Sequence, residues 1–177
     1  MGFAEAYKRW RHTRGYGVHS PFAYRIVRRV VRQSPGYRYY IESDLPEMSR
    51  AERREVRQLI RLAAELDIRS AAIAPQLPES YAKALHEVRS DMSTDVLTGH
   101  PSGHQLIIGY ADLWPTEVCT RILNSPSLKA LWIKNPPAGH APALFNALSE
   151  GVLFIGKNAI LVIPHPGMQK VAYSVCI

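Results

Sequence analysis

Glycine is missing where an α/β chain needs it most. The sequence holds 11 glycines in 177 residues, but the stretch SAAIAPQLPES, residues 70–80, contains none and has two prolines instead. That stretch reads as a short buried strand, a turn and the start of a helix. Such a junction normally uses glycine to let a ligand approach the backbone. Long apolar runs are also lacking: none approaches the ~20 residues that span a bilayer. The opening MGFAEAYKRWRHTRG has no apolar core of the signal-peptide type, so a cytoplasmic protein is expected. Cysteine is scarce. Cys119 and Cys176 form no CxxC pair, which fits a reducing compartment and argues against a disulfide between them. No activated nucleophile is evident: Ser149 lacks the glycines of a nucleophile elbow, and Cys119 lies in an apolar helix. A hydrolase is therefore a poor reading.

What is present describes a folded domain. Hydrophobic residues make up 46% and charged residues 21%, the balance of a globular chain rather than a disordered one. The length suits one domain with an appended arm. Charge divides the chain: residues 1–69 carry 15 Lys/Arg against 8 Asp/Glu, and residues 70–177 carry 7 of each. The excess of +7 thus lies entirely in the first part, and the predicted boundary separates a basic helical arm, 1–68, from a second unit, 69–177, packed with it as one body.

The arm reads as helical. FAEAYKRW places Phe3, Tyr7 and Trp10 on one side before Gly15 and Gly17 break the pattern. Ser20-Pro21 supplies an N-cap and a first-turn proline. In SPFAYRIVRRVVRQ, Phe22, Ile26, Val27, Val30 and Val31 recur at helical spacing, with arginines on the other arc. Ser49-Arg50-Ala51-Glu52 is a capping box opening a helix to about Leu66. From residue 69 the rhythm changes. RSAAIA, TDVLT, QLIIGY, LKALWIK and NAILVI read as buried strands, alternating with helical ESYAKALHEV, PTEVCTRIL and APALFNALSEGV. The fold class expected is α/β: a Rossmann-like open, mostly parallel sheet of about five strands with helices on both faces. MQKVAYSVCI fits a further helix or an edge strand equally well.

Several stretches together resemble the class I S-adenosylmethionine-dependent methyltransferases, in particular a bacterial branch whose N-terminal helical arm carries a G-x-HSPF motif. Here it reads RGYGVHSPF, residues 14–22, followed by an amphipathic helix and the aromatic segment YRYYIES; LWIKNPPAGHAPALFNAL resembles the fourth strand and its helix. The resemblance implies a cofactor-binding turn at Ala74, Pro75, Gln76 and Leu77. It also implies a ribose-binding acid where Thr98 stands, and acidic positions where Lys134 and Pro164-His165-Pro166 stand. A hydroxyl lacks the charge-assisted pair of bonds that a carboxylate gives a ribose, and each proline removes an N–H. The chain also looks too short after its fifth strand for the family's closing β-hairpin. The expectation is a degenerate relative that holds no cofactor and serves as a binding or partner subunit, with a protein partner or a second copy as candidates.

Two alternatives stay open. The chain is an active methyltransferase binding S-adenosylmethionine through residues 73–77 and Thr98, with Asn135 of the NPPA tetrad and His165 as catalytic candidates. His140, which also follows a strand end, is placed to meet His165. Otherwise it is a nucleic-acid-binding module, whose arm arginines, Arg25, Arg28, Arg29, Arg32, Arg53 and Arg57 among them, hold RNA or DNA phosphates while Tyr37, Tyr39 and Tyr40 stack on bases. Against both stands a solvated helix face, with Glu52 and Glu55 pairing locally. A lipid surface is a further use for a basic amphipathic helix. No metal site is expected: His100 and His104 lie on a Pro- and Gly-containing loop, short of the three or four converging ligands that a metal requires.

Overall fold

The computed structural model describes residues 2–32, 48–98, 103–113 and 115–177. The expected tyrosines 37, 39 and 40, and His100, lie outside them. Seven strands form one open sheet: β1 (Ser70–Ile73), β2 (Ser93–Val96), β3 (Leu106–Tyr110), β4 (Ala130–Lys134), β5 (Gly151–Ile155), β6 (Ala159–Pro164) and β7 (Val171–Ser174). Their order is β2-β1-β3-β4-β6-β5-β7. All neighbours run parallel except β6, which is antiparallel to both β4 and β5. The α/β class is as expected, with two more strands than the apolar runs gave.

Both extra strands have a physical cause. Gly151 and Val152 were expected to be the tail of a helix and Leu153–Ile155 went unassigned, but α6 (His140–Ala147) stops before Gly151, and 151–155 form a strand. Gly151, at φ 129°, opens β5, because a Cβ there would collide with the Ile163 carbonyl. Gly156-Lys157-Asn158 then turns the chain into β6, with the Gly156 N–H bonding to the Ala159 carbonyl at 2.8 Å. β5 and β6 thus form an antiparallel hairpin that ends in the strand read as the fifth, and a single strand follows it. MQKVAYSVCI resolves as β7, an edge strand beside β5.

Strand side chains alternate between two buried layers, as a pleated sheet covered on both faces requires. Ala72, Ile107, Leu131, Ile133 and Leu153 pack under α5 (Thr116–Leu123) and α6. Ala71, Leu106, Ile108, Trp132 and Phe154 face the other way. That second layer is closed by α2 (Pro21–Ile26), whose last turn, Val27–Val31, widens to π-helical bonding, together with α3 (Arg50–Glu65) and α4 (Ser80–Val88). Ile26, Val30, Leu59 and Ile60 of the arm share this layer with the strands, so arm and sheet have a common core.

Both arm caps form as the sequence predicts. The Ser20 hydroxyl accepts the Ala23 N–H at 3.2 Å, and Ser49 and Glu52 cap one another reciprocally. At the wide end of α2, the carbonyls left over are taken by α3: Arg61 Nε donates to Val30 at 2.8 Å and Gln58 Nε2 to Val31 at 3.2 Å. By contrast, the first helix, α1 (Phe3–Thr13), buries none of its residues. No helix among the described residues is long and apolar enough to cross a membrane.

Candidate functional site

In an open α/β sheet, ligands gather at the carboxyl ends of the strands where the strand order reverses, here between β1 and β3. The turn after β1 leaves little for a ligand to use. Pro75 and Pro78 have no N–H, Ala74 N–H bonds to the Ile108 carbonyl at 2.8 Å, and Leu77 N–H bonds to Ala74 at 3.0 Å. Gln76 carries the one N–H of residues 74–78 without an intrachain bond among the described residues. The Leu77 side chain is buried in the core, while Pro75, Gln76 and Pro78 face solvent. Thr98 is exposed beyond the end of β2.

A cavity of about 330 Å³ lies instead over β3 and β4, floored by Tyr110, Trp132 and Lys134 and walled by α3, with no residue of the turn in its lining. Lys134 was expected to mark a reversal of charge. The structure neutralises it: Lys134 Nζ lies 2.9 Å from Glu55 Oε2 and donates to the Tyr81 hydroxyl at 2.8 Å. Glu55 also accepts from Trp132 Nε1 at 2.9 Å and from the Tyr81 hydroxyl at 3.2 Å. Burial, and after it the Glu55 carboxylate, pushes the Tyr81 hydroxyl well above its usual range. Glu55 thus reaches into the sheet rather than pairing along its own helix.

Asn135, at φ 49°, sits on the rim of this cavity, its N–H bonded to the Asn158 carbonyl. His165 does not join it. The antiparallel register puts Lys134 opposite Ala159 and Leu131 opposite Val162. Pro164 and His165 therefore fall at the far edge of the sheet, where the His165 ring rests on Phe22 at 4.3 Å. His140 starts α6 on the Asn135 side, so the two histidines do not meet either. Its Nε2 is buried without a hydrogen-bond partner among the described residues, and burial lowers its pKa. Cys119 is fully buried, which pushes its thiol up to about 11. His104 bonds to Asp95 at 2.9 Å, and no group of three metal-ligating side chains occurs among the described residues.

The arginines divide into two sets. Arg25 and Arg29 close on the nearly buried Glu65 at 2.9 and 3.2 Å, and Arg28 lies over the Tyr24 ring. Arg32, Arg53 and Arg57 instead line an open groove of about 840 Å³ between the ends of α1 and α2 and the outer face of α3. Arg50, Arg54 and Arg61 line it too, and among the described residues no carboxylate joins its lining. Arg54 donates to the Cys176 carbonyl, and Arg61 is buried against Val30. The other four, Arg32, Arg50, Arg53 and Arg57, are exposed. The i, i+3, i+4, i+7 spacing of Arg50, Arg53, Arg54 and Arg57 along α3 was in the sequence; the closing wall from Arg32 was not. No protein-family model matches the chain, and no curated protein matches it either.

Proposed function

We propose that the chain is a methyltransferase-like binding protein without methyl-transfer chemistry, whose working surface is the arginine groove and whose ligand is a phosphate backbone. The observation that carries this reading is the set of four exposed guanidinium groups in one concave groove, with no carboxylate in its lining among the described residues. Guanidinium groups pair with phosphate oxygens in a bidentate fashion, and a row of them along a helix matches a repeating anion better than a single one.

The degenerate-enzyme half rests on fit. S-adenosylmethionine would need the turn after β1, where two N–H groups are absent and two are spent internally, while the Leu77 side chain is turned into the core. The Glu55–Lys134 pair also leaves no unmatched charge facing the cavity from that network.

The test has two parts. A titration of the full chain with 20-nucleotide RNA should show affinity that falls with salt, with a log–log slope of about −3 for four phosphates neutralised. A calorimetric titration with S-adenosylmethionine, and with S-adenosylhomocysteine, should give no heat. Micromolar binding, about −8 kcal/mol, would overturn the degenerate reading, and binding of RNA that ignores salt would overturn the phosphate reading.

A further inference from the structure

Helix α1 presents an aromatic stripe that the core does not use. Phe3, Tyr7 and Trp10 lie on one face and are 89%, 52% and 45% exposed. The Tyr7 and Trp10 rings are nearly parallel, 18° between planes with centroids 5.9 Å apart. Guanidinium groups flank this stack: Arg14 lies over Trp10 at 4.3 Å and Arg11 over Tyr7 at 6.0 Å. The helix and its cap also carry Lys8 and Arg9 beside Arg11 and Arg14, against the single acid Glu5. At its carboxyl end the helix reaches the arginine groove, whose lining includes Thr13.

From this geometry we infer that the groove's ligand is single-stranded, and that α1 is a stacking platform for its unpaired bases. The inference rests on the phosphate-binding reading above and deepens it. Aromatic rings flanked by cations favour a ligand that offers flat π-faces and negative charge together, and an unpaired nucleotide offers both. A base settling on Trp10 exchanges places with the Arg14 guanidinium, which is then free to pair with the adjoining phosphate. Successive rings of the stripe are separated by about 6 Å and about 4.5 Å along the helix axis, so they receive bases in sequence along one strand. A duplex hides its base faces and gains nothing from these rings. A second copy of the chain is a poor occupant, since it would bring like charges face to face. A flat lipid surface would meet α1 but could not follow the concave groove beside it.

The experiment compares the full chain with two double variants, Tyr7→Ser/Trp10→Ser and Arg53→Gln/Arg57→Gln. All four positions are exposed, so folding is retained; a circular dichroism melt checks this. Fluorescence anisotropy is read with a labelled 20-nucleotide oligo(U) RNA, the same length of oligo(dT), a 20-base-pair duplex, and vesicles of one-third phosphatidylserine. The aromatic variant should lose about tenfold in affinity for both single strands and less than twofold for the duplex, while the arginine variant should weaken all three. Native tryptophan fluorescence should be quenched on binding, less so in the aromatic variant. Equal affinity of wild type and aromatic variant for single strands would overturn the inference and leave the groove reading standing. No binding of any nucleic acid would overturn both, as would vesicle binding that depends on Trp10 while the oligonucleotides are ignored.

Discussion

The Lys134 ammonium, at the end of β4, lies 2.9 Å from the Glu55 carboxylate on α3, and the two side chains are only 12% and 17% exposed. This pair ties the arm to the sheet at the carboxyl edge of the strands, where an open α/β sheet would otherwise receive a ligand. Breaking one side leaves a charge in a poorly solvated place, with Trp132 and Tyr81 losing their shared acceptor or donor.

Lys134→Met should therefore destabilise the chain by about 3 kcal/mol, read as a lower urea midpoint at unchanged slope. Glu55→Leu should cost at least as much, because it also strands the Trp132 indole N–H. The double variant should cost clearly less than the sum, since it removes both charges together. Additive losses would mean that the pair does not act as a unit.

Gly151→Ala should cost more than about 2 kcal/mol. The residue holds a left-handed φ of 129°, which carries a penalty of about 1–3 kcal/mol for other residues, and the new methyl would meet the Ile163 carbonyl. Gly103→Ala has open space around its Cβ, so it should cost only its backbone strain and serves as the control. Thermal melts of the two variants make the comparison.

Stability should rise with pH through the histidine range. Burial lowers the His140 pKa from 6.5, so the unfolded chain takes up a proton more readily than the folded one. The contribution is fully present above pH 6.5 and is lost as pH falls through the lowered folded value. His12, packed edge-on against Tyr173, shifts the same way, burial outweighing the bond to the Ser174 backbone. Urea midpoints measured from pH 7.5 to 5.5 should fall in the wild type and fall less in His140→Leu.

Much of this was legible before the fold was known. The Ser20 and Ser49 caps, the buried face of α3 and the alternating β/α rhythm are local signals, and each formed where the residues indicated. Long-range pairing was not legible. Gly151-Val152 read as the tail of the helix APALFNALSEGV, and only pairing with the strand 159–164 makes 151–155 into β5. Glu55 is one residue among the arginines of α3, and nothing local says that it turns inward to Lys134, 79 positions away. Likewise Arg25 and Arg29 read as a basic face until Glu65, from another helix, closes on them.

Arg57 and Arg61 lie one turn apart on α3 and should separate binding from stability. Arg61 is 5% exposed, and burial, with Arg57 and Arg54 nearby, brings its pKa down to about 10. It remains charged at neutral pH, and its bond to the Val30 carbonyl offsets part of the cost of burying it. Arg61→Leu removes that bond and leaves a helix-end carbonyl short of its donor, so a loss of about 1–3 kcal/mol is expected. Arg57→Gln removes an exposed charge that repels Arg61, so stability should stay within about 0.5 kcal/mol of wild type or rise slightly. Affinity for RNA should follow the opposite order: Arg57→Gln weakens it and makes the salt slope shallower by about one phosphate's share, while Arg61→Leu, once folded, changes it less. A groove whose charges served only to solvate the helix would show no such split, because neither variant would then alter RNA affinity.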